Sequence, residues 1–194
     1  MPSTCLESTP AIFPETLFDD ASEEAPVDGD QRRWWGVYTR SRQEKALARE
    51  LFAQEVPYYL PLVKKVTWYG RRRITADLPV FSSYLFLYGS EEERVGCLAT
   101  NRVSRLLSVA EPERLRFDLS QLRRLIAAGA PLTIESRLAP GRRVRIKRGP
   151  LAGLEGIVLE RRSGTRLLVG VDFLQQGASV AIDDFSLEPL DWES

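Results

Sequence analysis

The stretch Gly141-Arg-Arg-Val-Arg-Ile-Lys-Arg-Gly-Pro-Leu-Ala-Gly-Leu-Glu-Gly-Ile-Val158 decides the fold of the C-terminal part of the chain. Val144 and Ile146 alternate with basic residues, which is the period-two pattern of a half-buried strand. Gly149-Pro150 ends that strand, because proline brings no N–H to a ladder and glycine tolerates a positive φ. Two further glycines bracket a second bend before the next extended run. Taken alone, this pattern predicts at least a β-hairpin with a basic outer face.

Downstream of this stretch the chain reads almost entirely as strand. Apolar residues occupy every second position of one predicted strand, at Leu167, Val169, Val171 and Phe173. A further short strand is predicted around Val180 and Ile182. Five short strands that close on themselves remove exposed sheet edges, so residues 141–191 are predicted to form a small β-barrel. The Gly-, Pro- and polar-rich segment 129–140 is the predicted interdomain linker.

The preceding segment, residues 32–128, alternates strands with helices. An aromatic strand opens it at Trp34, and a hydrophobic strand runs from Pro79 to Tyr88. Capping-box signatures, a serine followed three residues later by glutamate, predict helix starts at Ser41 and Ser90, and a third helix is predicted from Asp118. A long hairpin with its tip at residues 70–73 is predicted between the first helix and the hydrophobic strand that begins at Pro79. The order of elements predicts an α/β sandwich with one helix-covered antiparallel sheet.

Composition excludes several classes of function. The chain has no histidine, which removes the usual general base and the commonest zinc ligand, so no enzyme, metal or cofactor is expected. No apolar run approaches the roughly 20 residues that span a bilayer, and no secretory signal precedes the fold. Cys5 and Cys97 have no metal-ligand spacing and fit a reducing cytoplasm.

The net charge of zero conceals an uneven distribution of charge. Residues 1–30 contain eight acidic residues and no lysine or arginine, which leaves 27 basic and 19 acidic residues in the rest of the chain. The acidic segment has few apolar side chains and cannot offset its ordering entropy, so residues 1–31 are predicted to be a disordered acidic tail. The chain is thus a basic body with an acidic tail, and the tail is either a solubilising segment or a competitor for nucleic acid bound by the body.

Both halves of the chain resemble one family. The basic strand, Gly-Pro and small-residue turn at 141–158 resemble the KOW motif, and residues 34–109 resemble the N-terminal domain of the NusG/RfaH family. The second resemblance rests on the aromatic opening strand, on Leu60-Pro61 and on Phe81-Ser-Ser-Tyr-Leu-Phe86, although family members usually have Pro-Gly or Pro-Asn where this chain has two serines. It implies an α+β protein with a NusG-type N-terminal domain and an SH3-like KOW barrel.

The resemblance also implies where partners bind. In this family a hydrophobic depression grips the coiled-coil of the RNA polymerase β′ subunit, and the matching positions are Tyr38, Phe81, Tyr84 and Phe86. Aromatic side chains suit this role because they bury a large area at a low entropic cost. An ordinary core role is the alternative for each of them, and two residues three apart on one strand should face opposite ways unless the serines form a bulge.

A second group of positions matches contacts to the non-template DNA strand in the transcription bubble. These positions are Arg40, Arg42, Asn101 and Arg102. The hairpin tip would add a basic finger directed at nucleic acid or at polymerase, formed by Arg71, Arg72 and Arg73. A solvated basic surface is the alternative for any single arginine.

The family's KOW domain binds the termination factor Rho or a small-subunit ribosomal protein, through a loop that corresponds here to Phe173, Leu174 and Gln175. The C-terminal sequence is similar to that of the specialised antiterminators of polysaccharide loci. The sequence therefore predicts a monomeric, cytoplasmic transcription elongation and antitermination factor that binds polymerase and suppresses pausing. The alternative is a ribosome- or RNA-associated KOW protein.

Overall fold

The computed structural model describes residues 9–19, 31–137, 141–162, 164–182 and 187–190. The chain divides into two units, Met1–Pro61 with Ser82–Val109, and Leu62–Phe81 with Ala110–Ser194. In chain order the elements are β1 (Ile12–Phe13), β2 (Arg33–Thr39), α1 (Glu44–Ala53), β3 (Tyr58–Tyr59), β4 (Leu62–Tyr69), β5 (Arg72–Pro79), β6 (Tyr84–Gly89), α2 (Glu91–Ala99), β7 (Val103–Ser108), α3 (Pro112–Ala127), β8 (Leu132–Glu135), β9 (Arg143–Ile146), β10 (Glu155–Arg161), β11 (Gly164–Val171), a 3₁₀ turn (Asp172–Leu174), β12 (Gln176–Ala181) and β13 (Leu187–Pro189).

The first unit is built on a five-stranded antiparallel sheet in the order β1-β3-β6-β2-β7. Helix α1 packs on β3 and β6, and α2 packs on β6. The apolar residues Val37, Leu85 and Leu87 alternate along the two central strands and are fully buried. The helix-covered antiparallel sheet expected within residues 32–128 is therefore confirmed.

The N-terminal strap, residues 9–19, corrects the prediction of a disordered tail over 1–31. Its strand β1 pairs with β3, and Phe13 meets Phe52 of α1 with ring centroids 5.3 Å apart. Leu17 is buried at 5% exposure. The apolar side chains are few, but they are spaced so that the segment can wrap the sheet edge. Residues 1–8 and 20–30 of the predicted tail lie outside the described residues.

Two of the three predicted helix starts differ from the structure. Ser90 accepts from the N–H of Glu93 and the Glu93 carboxylate accepts from the Ser90 N–H, so this capping box is confirmed. The signature at Ser41 is wrong, because α1 begins at Glu44 and the Glu44 carboxylate accepts instead from the Ser83 N–H at 2.7 Å. Helix α3 begins at Pro112 rather than near Asp118, since proline at the first turn sacrifices no helical hydrogen bond.

The second unit contains the arm β4–β5 and a six-stranded antiparallel sheet in the order β13-β9-β10-β11-β12-β8. Five strands closing into a barrel were expected, but the hydrogen-bonded ladder of the described residues runs from β13 to β8 without a closing pair. Strand β8 lies inside the predicted linker 129–140, where Leu132 to Glu135 pair with β12. This segment is therefore part of the sheet.

Helix α3 belongs to the second unit and packs on β11. Its leucines 115, 119, 122 and 125 are at most 1% exposed. Along its polar side, Arg124 donates to the carbonyl of Ala152 at 2.7 Å, and Gln121 accepts from the N–H of Glu155 at 3.3 Å. These bonds fix the helix to the C-terminal sheet. No helix among the described residues is long and apolar enough to cross a membrane.

Cys97 offers a test of how tightly α2 is packed. Its side chain is fully buried, and burial together with the nearby Glu50 carboxylate raises the pKa of the thiol from 9.0 to about 12. Because only the thiolate reacts, alkylation by iodoacetamide at pH 8 should be about a thousandfold slower than for a free cysteine. The measurement uses a Cys5→Ser variant, with urea-unfolded protein as the reactive reference. Equal rates in the two states would contradict the packing.

Candidate functional site

One face of the first sheet carries a row of aromatic side chains. Trp34 lies opposite Tyr88 and Tyr38 lies opposite Tyr84, with Phe86 between them on the same side because alternate residues share a face. We call this surface the aromatic face. The rings of Tyr38 and Tyr84 are 5.0 Å apart, and those of Trp34 and Tyr88 are 5.2 Å apart. The row spans two neighbouring strands, with the buried Phe86 between the two ring pairs.

The four positions predicted to bind polymerase differ in exposure. Tyr38 is 40% exposed and Tyr84 is half-buried, whereas Phe81 and Phe86 are at most 1% exposed. The last two therefore have the core role that was the alternative for each aromatic residue. Between Phe81 and Tyr84 the chain turns at Ser83, whose φ is +64°. The accessible part of the aromatic face is the Tyr38–Tyr84 pair.

The turn at Ser83 is held from two sides. Its N–H donates to the Glu44 carboxylate, and its carbonyl accepts from the N–H of Thr39 at 2.8 Å. Ser82 and Ser83 therefore provide this turn without a proline or glycine. Because Glu44 is 7% exposed and directly supports the residue before Tyr84, the carboxylate positions the aromatic pair.

The structure brings together the four polar residues predicted to contact DNA. The loop after β2 and the loop before β7 are joined by a hydrogen bond from the N–H of Arg40 to the carbonyl of Arg102, at 2.8 Å. Arg40, Arg42 and Asn101 are exposed, and the last two have φ near +60°. The guanidinium of Arg102 instead pairs with Glu50 at 2.5 Å. Three side chains thus remain exposed at one end of the sheet.

The arm β4–β5 places aromatic residues beside its basic tip. Trp68 pairs in register with Arg73, and Tyr69 pairs with Arg72. The two aromatic side chains are 64% and 68% exposed, the highest values among the exposed large hydrophobic residues. The arginines were predicted from the sequence, whereas these two aromatic residues were not. Period-two alternation at a strand end could have indicated that each ring shares a face with one arginine.

The predicted partner loop of the C-terminal sheet is held by α3. The N–H of Asp172 donates to the Asp118 carboxylate at 3.0 Å, and Arg114 pairs with Asp172 at 2.9 Å. Nε of Arg114 also lies 3.1 Å from a carboxylate oxygen of Asp118, so the two side chains form a second ion pair. Phe173 and Leu174 are half-buried and Gln175 is exposed with φ +53°.

Burial raises the pKa of Asp118, although the Asp172 N–H and Arg114 oppose that shift. Asp118 is 3% exposed. Because its pKa in the folded protein lies above the unfolded value, this group contributes stability at low pH that is lost as the pH rises from the unfolded pKa through the folded one. The contacts of α3 with the partner loop therefore depend on a carboxylate whose ionisation is costly.

A helix-covered antiparallel sheet with one exposed aromatic pair and a basic end has the organisation of a macromolecular binding domain. Residues 32–122 match the family model described as transcription termination factor nusG, which supports NusG-family membership. The match covers nearly half of the chain and ends within α3. A comparison with curated proteins gives no match. The NusG match agrees with the resemblance found in the N-terminal half and points to a transcription factor.

Proposed function

We propose that the chain is a bacterial transcription elongation and antitermination factor that binds the coiled-coil of the RNA polymerase β′ clamp. The observation that carries this proposal is the Tyr38–Tyr84 pair, which stays accessible within the segment that matches the NusG family. Exposed aromatic pairs on a rigid strand scaffold are suitable interface anchors. The factor acts by bridging the clamp and suppressing pausing, without a chemical step.

The exposed basic end contacts the non-template DNA strand. Arg40, Arg42 and Asn101 extend from two loops that a backbone hydrogen bond joins, so the three side chains have a fixed spacing. Arginine can pair with phosphate and stack on a splayed base. Arg102 supports this site through its ion pair with Glu50 rather than by direct contact.

The C-terminal sheet is proposed to be the KOW domain, which binds Rho or a small-subunit ribosomal protein through residues 173–175. The competing function, a ribosome- or RNA-associated KOW protein, requires free cations on its basic strand. Two outward cations of that region are paired, Arg145 with Glu155 at 2.9 Å and Lys147 with Glu188 at 3.7 Å. These two surface ion pairs lower the charge that the strand offers to RNA, whereas Arg142 and Arg148 at its ends are exposed.

A pull-down from bacterial extract tests the proposed function. The full-length protein should enrich RNA polymerase subunits, and nuclease treatment should not remove them. Enrichment of ribosomal RNA without polymerase would support the competing function. A Tyr38→Ala variant is the control bait. It should still capture the proteins that bind nonspecifically, but it should no longer enrich RNA polymerase.

The arm should contribute to nucleic-acid binding through its tip. Replacing Arg71, Arg72 and Arg73 by alanine removes up to three phosphate contacts, and the slope of log K against log salt for single-stranded DNA should become shallower by about 2. Fluorescence anisotropy with a single-stranded oligonucleotide, over a salt series, measures the slope. Trp68→Ala should weaken binding with little change of slope, because stacking depends less on salt than phosphate contacts do.

The control for the arm removes the same charge elsewhere. Arg137, Arg142 and Arg148 are exposed residues of the second unit outside the arm. Their triple alanine variant should change the slope less than the arm variant does. A larger change in the control would assign nucleic-acid binding to the C-terminal sheet and favour the RNA-associated function.

A further inference from the structure

The N-terminal strap occupies one end of the aromatic face. Phe18 stacks on Trp34 with ring centroids 5.8 Å apart and an interplanar angle of 5°, and it meets Tyr59 edge-on at 5.2 Å. In the strand register Tyr59 belongs to the same face as the Tyr38–Tyr84 pair. Trp34, which is stacked against Phe18, is 4% exposed, whereas Tyr38 at the other end is 40% exposed.

The strap is attached by few backbone contacts. Strand β1 adds only two residues to β3. Beside it, the N–H of Leu60 donates to the carbonyl of Ala11 at 2.7 Å, and the Tyr58 hydroxyl donates to the carbonyl of Pro10 at 2.6 Å. Local opening is easiest where a segment has few backbone bonds and lies at a sheet edge. The strap can therefore detach without disrupting the central strands.

A helical partner is large enough to reach the end of the aromatic face that the strap covers. Trp34 and Tyr38 are four residues apart on one strand, which corresponds to about 13 Å. A helix laid along the strands covers this whole distance. A helix pair laid across them is about 20 Å wide, at 10 Å per helix, and also reaches from the Tyr38–Tyr84 pair to Trp34. Either orientation brings the partner against Phe18.

We infer that the strap is an intramolecular competitor for the aromatic face, which a helical partner must displace in order to bind. This inference rests on the proposed function, because the partner is the β′ coiled-coil. When only a fraction of the molecules has the strap detached, the apparent affinity is lowered by that fraction. The strap thus sets a threshold for recruitment, and it does so through Phe18 and the buried Leu17 rather than through the acidic residues of the tail.

The test measures binding of the full-length protein to a peptide that forms the β′ helical hairpin. Phe18→Ala should bind about tenfold more tightly than the unmodified chain, the factor that corresponds to burial of one apolar side chain. Thr16→Ala is the matched control, since Thr16 lies in the strap with an exposed side chain. Leu17→Ala provides a second variant in case the first one is poorly folded.

Hydrogen exchange gives a second measurement on the unmodified protein. Addition of the hairpin peptide should accelerate exchange of the Leu60 N–H, because displacement of the strap removes its acceptor on Ala11. Suppose that the unmodified chain binds the peptide, and that Phe18→Ala and Leu17→Ala bind it equally or more weakly. The strap is then not a competitor, and the proposed function is unaffected. Unchanged exchange at Leu60 in the complex would also mean that the strap is not a competitor. If neither the unmodified chain nor any strap variant binds the peptide, the proposed function fails and the competitor fails with it.

Discussion

Replacing Gly177 by alanine should lower the free energy of unfolding of the second unit by about 3 kcal/mol, at the upper end of the cost of overpacking. A Cβ at this position would lie 2.3 Å from the carbonyl oxygen of Val169 and 2.9 Å from the Cα of Gly170. Both are backbone atoms of β11, which pairs with β12 at this point. A side-chain rotation cannot relieve the clash, so the two strands have to separate.

The matched control is Gly96→Ala in α2, where the nearest atom to a new Cβ is the Gln54 side-chain oxygen at 4.0 Å. This change should stabilise the protein by up to about 1 kcal/mol, because alanine is a better helix former than glycine. Urea unfolding followed by circular dichroism measures both variants. Equal stability of Gly177→Ala and the unmodified chain would mean that β11 and β12 do not approach each other as closely as described.

Local patterns in the sequence predicted those elements whose stability is decided locally. The alternation of Leu167, Val169 and Val171 predicted β11, and all three side chains are buried. The pair Ser90 and Glu93 predicted a helix start because both partners of that capping box lie within one turn. The helix-covered sheet of the first unit followed from the order of such elements.

The features that the sequence did not predict depend on distant partners. Glu44 was predicted to complete a capping box with Ser41, but its carboxylate accepts instead from the N–H of Ser83, 39 residues away. The strap looked disordered because its apolar residues are few, and its order comes from Trp34 and Tyr59 on other strands. Strand β8 lay in a Gly- and Pro-containing stretch, where pairing with β12 outweighed local propensity.

The candidate site was also predicted only in part: its residue positions were predicted, but not which side chains are accessible. Residue type and the family resemblance identified the aromatic positions and the basic loops. They could not distinguish accessible rings from core rings, since Tyr38 and Phe86 lie on the same face and differ only in what covers them. They also could not identify Arg102 as a supporting residue, because its partner Glu50 is 52 residues away on α1.

Tyr38→Ala should weaken binding to the β′ coiled-coil by about 2 kcal/mol, or roughly thirtyfold, as expected for an aromatic interface anchor. Its side chain is accessible and its ring contacts Tyr84, so both rings would be buried by a partner placed on them. Because Tyr38 is 40% exposed in the free protein, its removal should cost little stability. Tyr84→Ala should have a comparable effect, and the double variant should lose less than the sum because the rings are in contact.

The matched control is Leu98→Ala on α2, since Leu98 is 41% exposed and therefore resembles Tyr38 in exposure without belonging to the aromatic face. Calorimetric titration of the full-length variants with the hairpin peptide gives the affinities, and circular dichroism confirms folding. Tyr38→Phe separates the two contributions of the side chain, because it keeps the ring and removes only the hydroxyl. If the ring is the anchor, Tyr38→Phe and Leu98→Ala should bind within about threefold of the unmodified chain, less than the 1.4 kcal/mol of a tenfold change. Affinity retained in folded Tyr38→Ala and Tyr84→Ala variants would instead place the partner elsewhere and exclude the aromatic face as the polymerase site.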